Sequence, residues 1–400
     1  MTQMSKDNSP DGVSSMVPRE KMCESARKLR DTYAQKPDAP LYKCEFGYNS
    51  RGGLSECYYC LEKWYEQGLP KDADLAELFD YDPQGNFCLG QLGGCEGEFR
   101  PRFEEKVIEE RGRHEVIQDF AGRSLLVFKG RRSGFMPEYI DHPVKDIKTW
   151  EQNVKWRLDP KTQQRYEDLP ERMAQARAEA AQGKIITQDH VGAYMYLRSL
   201  IGPENLLYAF YDSPDLIHEC MKAWFELSDH VTARHQQYVT FDEIFFDEDI
   251  CYKNGPLISP DMMREFLFPY YQQLVSNIKS RQLDKTRHLY IQVDTDGFAN
   301  SVIDIYQKQI GLDVMSPFEV AAGCNVVQVA QQYPDLIMSG GIDKRILAEG
   351  KDAIDKHLEY ILPAMRRRGG YFPTCDHGVP EEVTLKNYIH YRKRAVELGA

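Results

Sequence analysis

Basic charge is in short supply in this chain of 400 residues: 62 acids against 50 lysines and arginines leave a net charge of −12, and no basic tail or stripe offsets it. Nucleic acid and anionic membrane surfaces are therefore not expected partners, since both are bound through clustered positive charge. No apolar run approaches the ~18 residues that a membrane-spanning helix needs. The opening stretch MTQMSKDNSPDGVSS is polar and lacks the apolar centre of a signal peptide, so a cytoplasmic protein is expected. Phosphate-cradling motifs are missing as well. No GxGxxG follows the first strand-like segment and no GxxxxGK[ST] occurs, which leaves a nucleotide-binding doubly wound sheet without support. Cysteines number ten but lack paired spacing. Cys57-Tyr58-Tyr59-Cys60 is the one CxxC; it falls in a helix-like stretch, and no second pair stands at zinc-ribbon spacing. Scattered cysteines in a long chain read as reduced thiols, not a disulfide framework.

What is present is ordinary for a soluble globular protein with a large core: 42% hydrophobic and 28% charged residues. Residues 1–18 read as a disordered tail and 19–35 as an amphipathic helical extension. Two strand-like segments, 41–46 and 87–92, flank a glycine-rich turn at 49–53 and a helix at 54–67. Residues 114–142 have a different texture, short strands separated by glycine turns, and predict an antiparallel meander inserted into the main fold. Short helices are expected at 150–157 and 171–182. After residue 180 the alternation is regular, with strands at 184–187, 244–246, 288–293, 312–315, 336–339 and 370–373. Helical segments cover 195–201, 204–239, 259–280 and 384–398. In the third of these Met263, Phe266, Leu267, Tyr270, Leu274 and Ile278 share a face, and Pro269 should kink it. Six βα units plus two earlier strands make eight. The expected fold is an α/β protein, a (β/α)8 TIM barrel at 19–400 as one domain, with a doubly wound sheet as the runner-up.

In such a barrel the active site gathers beyond the carboxyl ends of the strands. The residues found there are Asp189 and His190, then Asp247-Glu248-Asp249 with Lys253, then Asp294 and Asp296, Glu319, Asp343 and Lys344, and Cys375-Asp376-His377. Six consecutive strand-like segments each end in an acid. So many carboxylates on one rim cannot all stay ionised without partners, so some must be protonated, paired with a cation such as Lys253, Lys344 or Arg345, or wrapped around a metal ion. A neutral carboxyl group can serve as a general acid beside an ionised neighbour acting as base. Cys375, two residues before His377, is a candidate metal thiolate or nucleophile.

These stretches resemble the uroporphyrinogen decarboxylase superfamily, a (β/α)8 group that includes corrinoid-dependent methyltransferases. The resemblance is carried by residues 248–260 (EDICYKNGPLISP), Val293-Asp294-Thr295-Asp296-Gly297, residues 317–323 (PFEVAAG), Ser339-Gly340-Gly341-Ile342-Asp343-Lys344, Cys375-Asp376-His377-Gly378-Val379-Pro380, and the segment from His190 to Asp212. It covers residues 180–398 well and the N-terminal third loosely. Uroporphyrinogen decarboxylases proper hold a substrate with eight carboxylates by an arginine-rich N-terminal segment. Here Lys43-Cys44-Glu45-Phe46-Gly47 stands near that place, and an acid-loaded rim would repel a polyanion. Thiol-activating methyltransferases of the group carry a His-x-Cys zinc pair where this chain has Gln292-Val293-Asp294, although Cys375 matches their later cysteine.

The resemblance therefore implies a methyltransferase that moves a methyl group from a small methoxylated or methylated donor to a corrinoid protein, a demethylase component. The corrinoid would sit on the partner protein, because no Asp-x-His-x-x-Gly motif occurs in this chain. It further implies Glu248, Asp249, Asp296, Glu319 and His377 as catalytic residues. Asp189, His190, Asp247, Lys253, Asp343 and Lys344 would contact substrate. Asp294 and Cys375 would hold a zinc ion in a harder site. A homo-oligomer is compatible with this reading. A decarboxylase of another carboxylated substrate is the alternative, and a non-catalytic binding barrel ranks last. The 24 Tyr, 18 Phe and 4 Trp would furnish an aromatic pocket, though core packing accounts for most of them.

Overall fold

Segments rich in Ile, Val, Phe and Met and bounded by turns alternate with amphipathic helices, and the chain folds along that alternation. The computed structural model describes residues 16–46, 58–130 and 137–400. Strand β1 (Asn86–Cys88) starts a parallel sheet. Strands β2 (Lys106–Arg111), β3 (His114–Gln118), β4 (Ser124–Phe128) and β5 (Glu138–Asp141) form a separate antiparallel sheet in sequential order. The parallel sheet resumes with β6 (Ile185–Val191) and β7 (Glu243–Asp247), followed by a small hairpin of β8 (Cys251–Tyr252) and β9 (Gly255–Pro256). It ends with β10 (Tyr290–Asp294), β11 (Val314–Ser316), β12 (Ile337–Ser339) and β13 (Tyr371–Phe372).

The order β1-β6-β7-β10-β11-β12-β13 is strictly sequential and every neighbouring pair is parallel. Strands laid down one beside the next, with helical crossovers, give a curled sheet of TIM-barrel-like architecture. All five residues of β7 are buried, as expected of a parallel strand covered on both faces. One contiguous core runs through the barrel, while the antiparallel sheet has a small core of its own in Ile117, Leu125 and Val127.

Several sequence expectations are corrected. Residues 41–46 form no ladder and end in a turn at Phe46, so the described residues hold seven parallel strands, not eight. Side chains take the ladder's place there. The Lys43 N–H donates to the Asp82 carboxylate (2.8 Å), and the Tyr42 hydroxyl donates to the Pro83 carbonyl (2.6 Å) while accepting the Gly85 N–H (2.9 Å). Pro83 has no N–H to offer a ladder. The antiparallel sheet starts at Lys106, earlier than expected, because β2 is exposed along its whole length and shows no alternation. The long helix expected at 204–239 is split into Pro203–Asp212 and Pro214–His235, each with its proline in the first turn. The helix expected at 150–157 is present as consecutive short α, π and 3-10 helical segments from Ile147 to Leu158.

The kink at Pro269 takes the form of a five-residue π-helical turn, Met263–Leu267, ahead of the helix Phe268–Arg281. Leu274 and Ile278 of the expected face are buried as expected. Tyr271 is fully buried in place of Tyr270. The helical extension is present as Glu24–Tyr33 and the helix expected at 54–67 as Leu61–Glu66. Most of the expected tail (1–18), the turn at 49–53 and Cys57 lie outside the described residues. Among those described, no helix is long and apolar enough to cross a membrane.

Candidate active site

A cavity of about 1430 Å³ opens at the carboxyl ends of the parallel strands. Asp189 of β6, Asp247 of β7, Asp294 of β10 and Ser316 of β11 line it, with Asp249, Asp296 and His377 from the loops just beyond. The antiparallel insertion supplies a wall through Arg123, Tyr139 and His142, and the N-terminal segments add Glu45, Phe46 and Tyr59.

His377 is the most elaborately held of these groups. Its ring stacks on Phe46 with centroids 4.8 Å apart and lies 6.2 Å from Tyr59. Its Nε2 is 3.5 Å from the Asp296 carboxylate. Burial alone would lower its pKa, but the hydrogen bond and charge of Asp296, aided by Asp294 and opposed by Lys344, more than offset it, so the net shift is upward. Protonation of this ring is thereby favoured relative to a free imidazole.

Asp249 occupies a left-handed backbone conformation (φ 46°), which Asp tolerates better than most residues, and this sets its carboxylate 2.5 Å from Arg198. Burial pushes the Asp249 pKa up, and the charges of Asp296 and Asp247 add to that, against the opposing pull of Arg198. Arg123 is similarly engaged, 2.6 Å from Glu96 and 2.7 Å from Asp119, with its guanidinium 5.0 Å from the Tyr139 ring. Cys95 Sγ stands 3.7 Å from Asp247, and the Ser316 hydroxyl donates to Asp294.

Of the residues expected from sequence, Asp189, Asp247, Asp249, Asp294, Asp296 and His377 meet in this cavity. The others stand elsewhere. Glu248 is fully buried toward the helix layer, where its carboxylate accepts the Tyr194 N–H (3.0 Å) and the Tyr271 hydroxyl; burial pushes its pKa up to about 7. It caps the helix Ala193–Ile201, and Gly192 is required beside it, since a Cβ there would stand 2.2 Å from a Glu248 oxygen. His190 alternates to the outer face of β6 and packs against Trp224 and Phe246, where burial drives its pKa down to about 3. It is a core residue.

Lys253 is exposed at the β8–β9 turn, and the counter-charge for Asp249 is Arg198 instead. Lys344 pairs with Glu319 (3.2 Å) and Asp376 (3.6 Å), Glu319 accepts the Gly297 N–H, and Asp376 accepts the N–H groups of Val320 and Lys344. That network ties together the loops after β10, β11, β12 and β13. Asp343 is held by Arg345 at 2.8 Å.

The expected zinc pair does not fit. Asp294 lines the cavity, whereas Cys375 is fully buried, and its thiol is pushed well above the usual range by burial and by the nearby Glu45 charge. Among the described residues no three His, Cys, Asp or Glu side chains converge to hold a metal.

Sequence reasoning missed Arg198, Arg123 and Glu45. An arginine on the apolar helix AYMYLRSLI was a usable signal for the first. Arg123 and Glu45 reach the cavity by long-range contacts with no local signature.

Residues 135–397 match the family model for uroporphyrinogen decarboxylase (URO-D). A curated relative, the uroporphyrinogen decarboxylase of Hydrogenobaculum sp. (strain Y04AAS1), is 23% identical over 128 residues, which is 32% of this chain and 34% of the relative. The match thus spans about a third of that relative's length. Among solved structures, a methyltransferase from Methanosarcina mazei aligns over 94% of this chain and 99% of its own, with a TM-score of 0.57 and 14% identity, a likeness of fold. With the family model covering more than half of its length, the chain belongs to the uroporphyrinogen decarboxylase family.

Proposed function

We propose that the chain is a methyltransferase that takes a methyl group from a small methoxylated or N-methylated donor and passes it to a corrinoid carried by a separate partner protein. The observation that carries this reading is His377, held toward its protonated form by Asp296 in a cavity rich in carboxylates. A donor's ether oxygen or amine nitrogen is a poor leaving group until protonated. As the carbon–heteroatom bond breaks, its electron pair stays on the heteroatom and His377 delivers the proton there, with Asp296 stabilising the imidazolium beforehand. The corrinoid, in its cob(I) form, would supply the electron pair that takes the methyl group. Phe46, Tyr59 and Tyr139 would flank a methoxylated ring.

The decarboxylase reading has less support. A carboxylated substrate needs cations, and among the described residues the arginines that line the cavity are already committed, Arg123 to Glu96 and Asp119 and Arg198 to Asp249. Like charges brought together in a desolvated pocket cost several kcal/mol. The test is an anaerobic incubation of the full chain with cob(I)alamin and a panel of methoxyaromatics and methylamines, followed by absorbance. Methylcobalamin should form with at least one donor. Failure across the whole panel, or carbon dioxide release from a carboxylated compound instead, would overturn the assignment.

A further inference from the structure

A second buried carboxylate lies behind His377 and plays no part in the chemistry above. Glu45 is 2% exposed, and one of its oxygens accepts two backbone N–H groups, those of Phe46 (2.9 Å) and Cys375 (2.7 Å). Phe46 is the residue whose ring stacks on His377, and Cys375 stands two positions before His377. The other oxygen accepts the Tyr388 hydroxyl (2.6 Å), which is linked to Tyr81 (2.5 Å) and through it to Tyr58 (2.5 Å), all buried. Arg392 lies over the Tyr81 ring at 4.3 Å and donates to the Cys44 carbonyl at 3.0 Å.

We propose that Glu45 is a positioning residue for His377: one carboxylate oxygen pins the two segments that carry the imidazole and its stacking ring, and the tyrosine network fixes that carboxylate from behind. The proposal rests on the reading of His377 as the proton donor, but its geometry is independent of which reaction follows. Glu45 and Cys375 stand 330 positions apart in sequence, so only this contact and its neighbours bring Phe46 against the His377 ring. Without the pin, the Phe46 side of the 375–377 turn is left loose, and only the Asp376 contacts on its other side still hold the turn. His377 would then lose its close approach to Asp296 while staying in a pocket whose burial disfavours charge. The charged groups facing the ring are Asp296 and Asp294 from beyond β10 and Lys344 from beyond β12, and the rings of Phe46 and Tyr59 cover it.

The experiment is an NMR titration of the His377 ring in the full chain, with the resonance assigned by its absence in His377→Gln. Glu45→Ala should move the His377 midpoint down by at least about half a pH unit, the size of a lost charge-assisted contact partly replaced by water. Glu45→Gln, which keeps one oxygen acceptor for both N–H groups, should return most of the shift. If Glu45→Ala does not fold, Glu45→Asp, one methylene too short to reach both segments, replaces it with the same expectation. An unshifted His377 titration in a folded Ala or Asp variant overturns the proposal. That readout needs no methyl donor, so it stands apart from the test of the reaction itself.

Discussion

Glu248 and Asp249 are neighbours in sequence and part company in space. Glu248 turns to the helix layer and holds the start of Ala193–Ile201, while Asp249 steps into the left-handed region and faces Arg198. Alternation along a strand cannot say which of three consecutive acids faces the cavity once one of them leaves the extended region, and so the residue favoured from sequence proves to be a cap. The consequence is measurable. Glu248 has a folded pKa of about 7 against 4.5 in the unfolded chain, so the folded protein binds the extra proton between those values. Its contribution to stability is complete below the unfolded pKa and is lost as pH rises through 7, on the order of 3 kcal/mol. Glu243 is shifted in the same direction and adds a parallel loss. Glu248→Gln cannot ionise. Urea unfolding at about pH 5 and pH 8 should therefore give a stability difference smaller by roughly 3 kcal/mol than in the wild type. An unchanged difference would mean that Glu248 is ionised throughout.

At the scale of elements, the π-helical turn Met263–Leu267 changes the register locally: Tyr271 is buried where Tyr270 was expected, while Leu274 and Ile278 keep their buried places. A period of 3.6 read straight through Pro269 puts Tyr270 inside, and the π-helical turn puts Tyr271 there. Tyr271 then donates to Glu248 and accepts the Ala193 N–H at 2.7 Å, joining this helix to the start of the preceding crossover. Tyr271→Phe removes one hydroxyl from two buried partners. It should cost about 2 kcal/mol in denaturant unfolding, and a loss below about 0.5 kcal/mol would show that the junction does not depend on it. Sequence patterning made the later strands legible to within a few residues because each is apolar and bounded by turn residues. Residues 41–46 resemble those strands in composition, yet side chains from Asp82 and Tyr42 displace the ladder, and composition carries no trace of that substitution.

At the scale of the molecule, the cavity draws on three remote sources: the strand ends after residue 185, the antiparallel insertion and the N-terminal segments. The first source is legible because the barrel topology places every strand end on one face. Its acids Asp189, Asp247, Asp249, Asp294 and Asp296, and His377, were all in view. The other two are not, since nothing local in Arg123 or Glu45 announces a contact with residues far away in the chain. They engage the arginines described in the cavity and stack Phe46 on the His377 ring, leaving a carboxylate-rich space in which His377 faces Asp296. In the proposed reaction His377 donates the proton that releases the methyl group. The most direct measurement is single-turnover methyl transfer to cob(I)alamin by His377→Gln, with a donor that the wild type uses. A loss of about 100-fold or more, with the fold intact by circular dichroism, is the result predicted for a general acid. Transfer at the wild-type rate would contradict it.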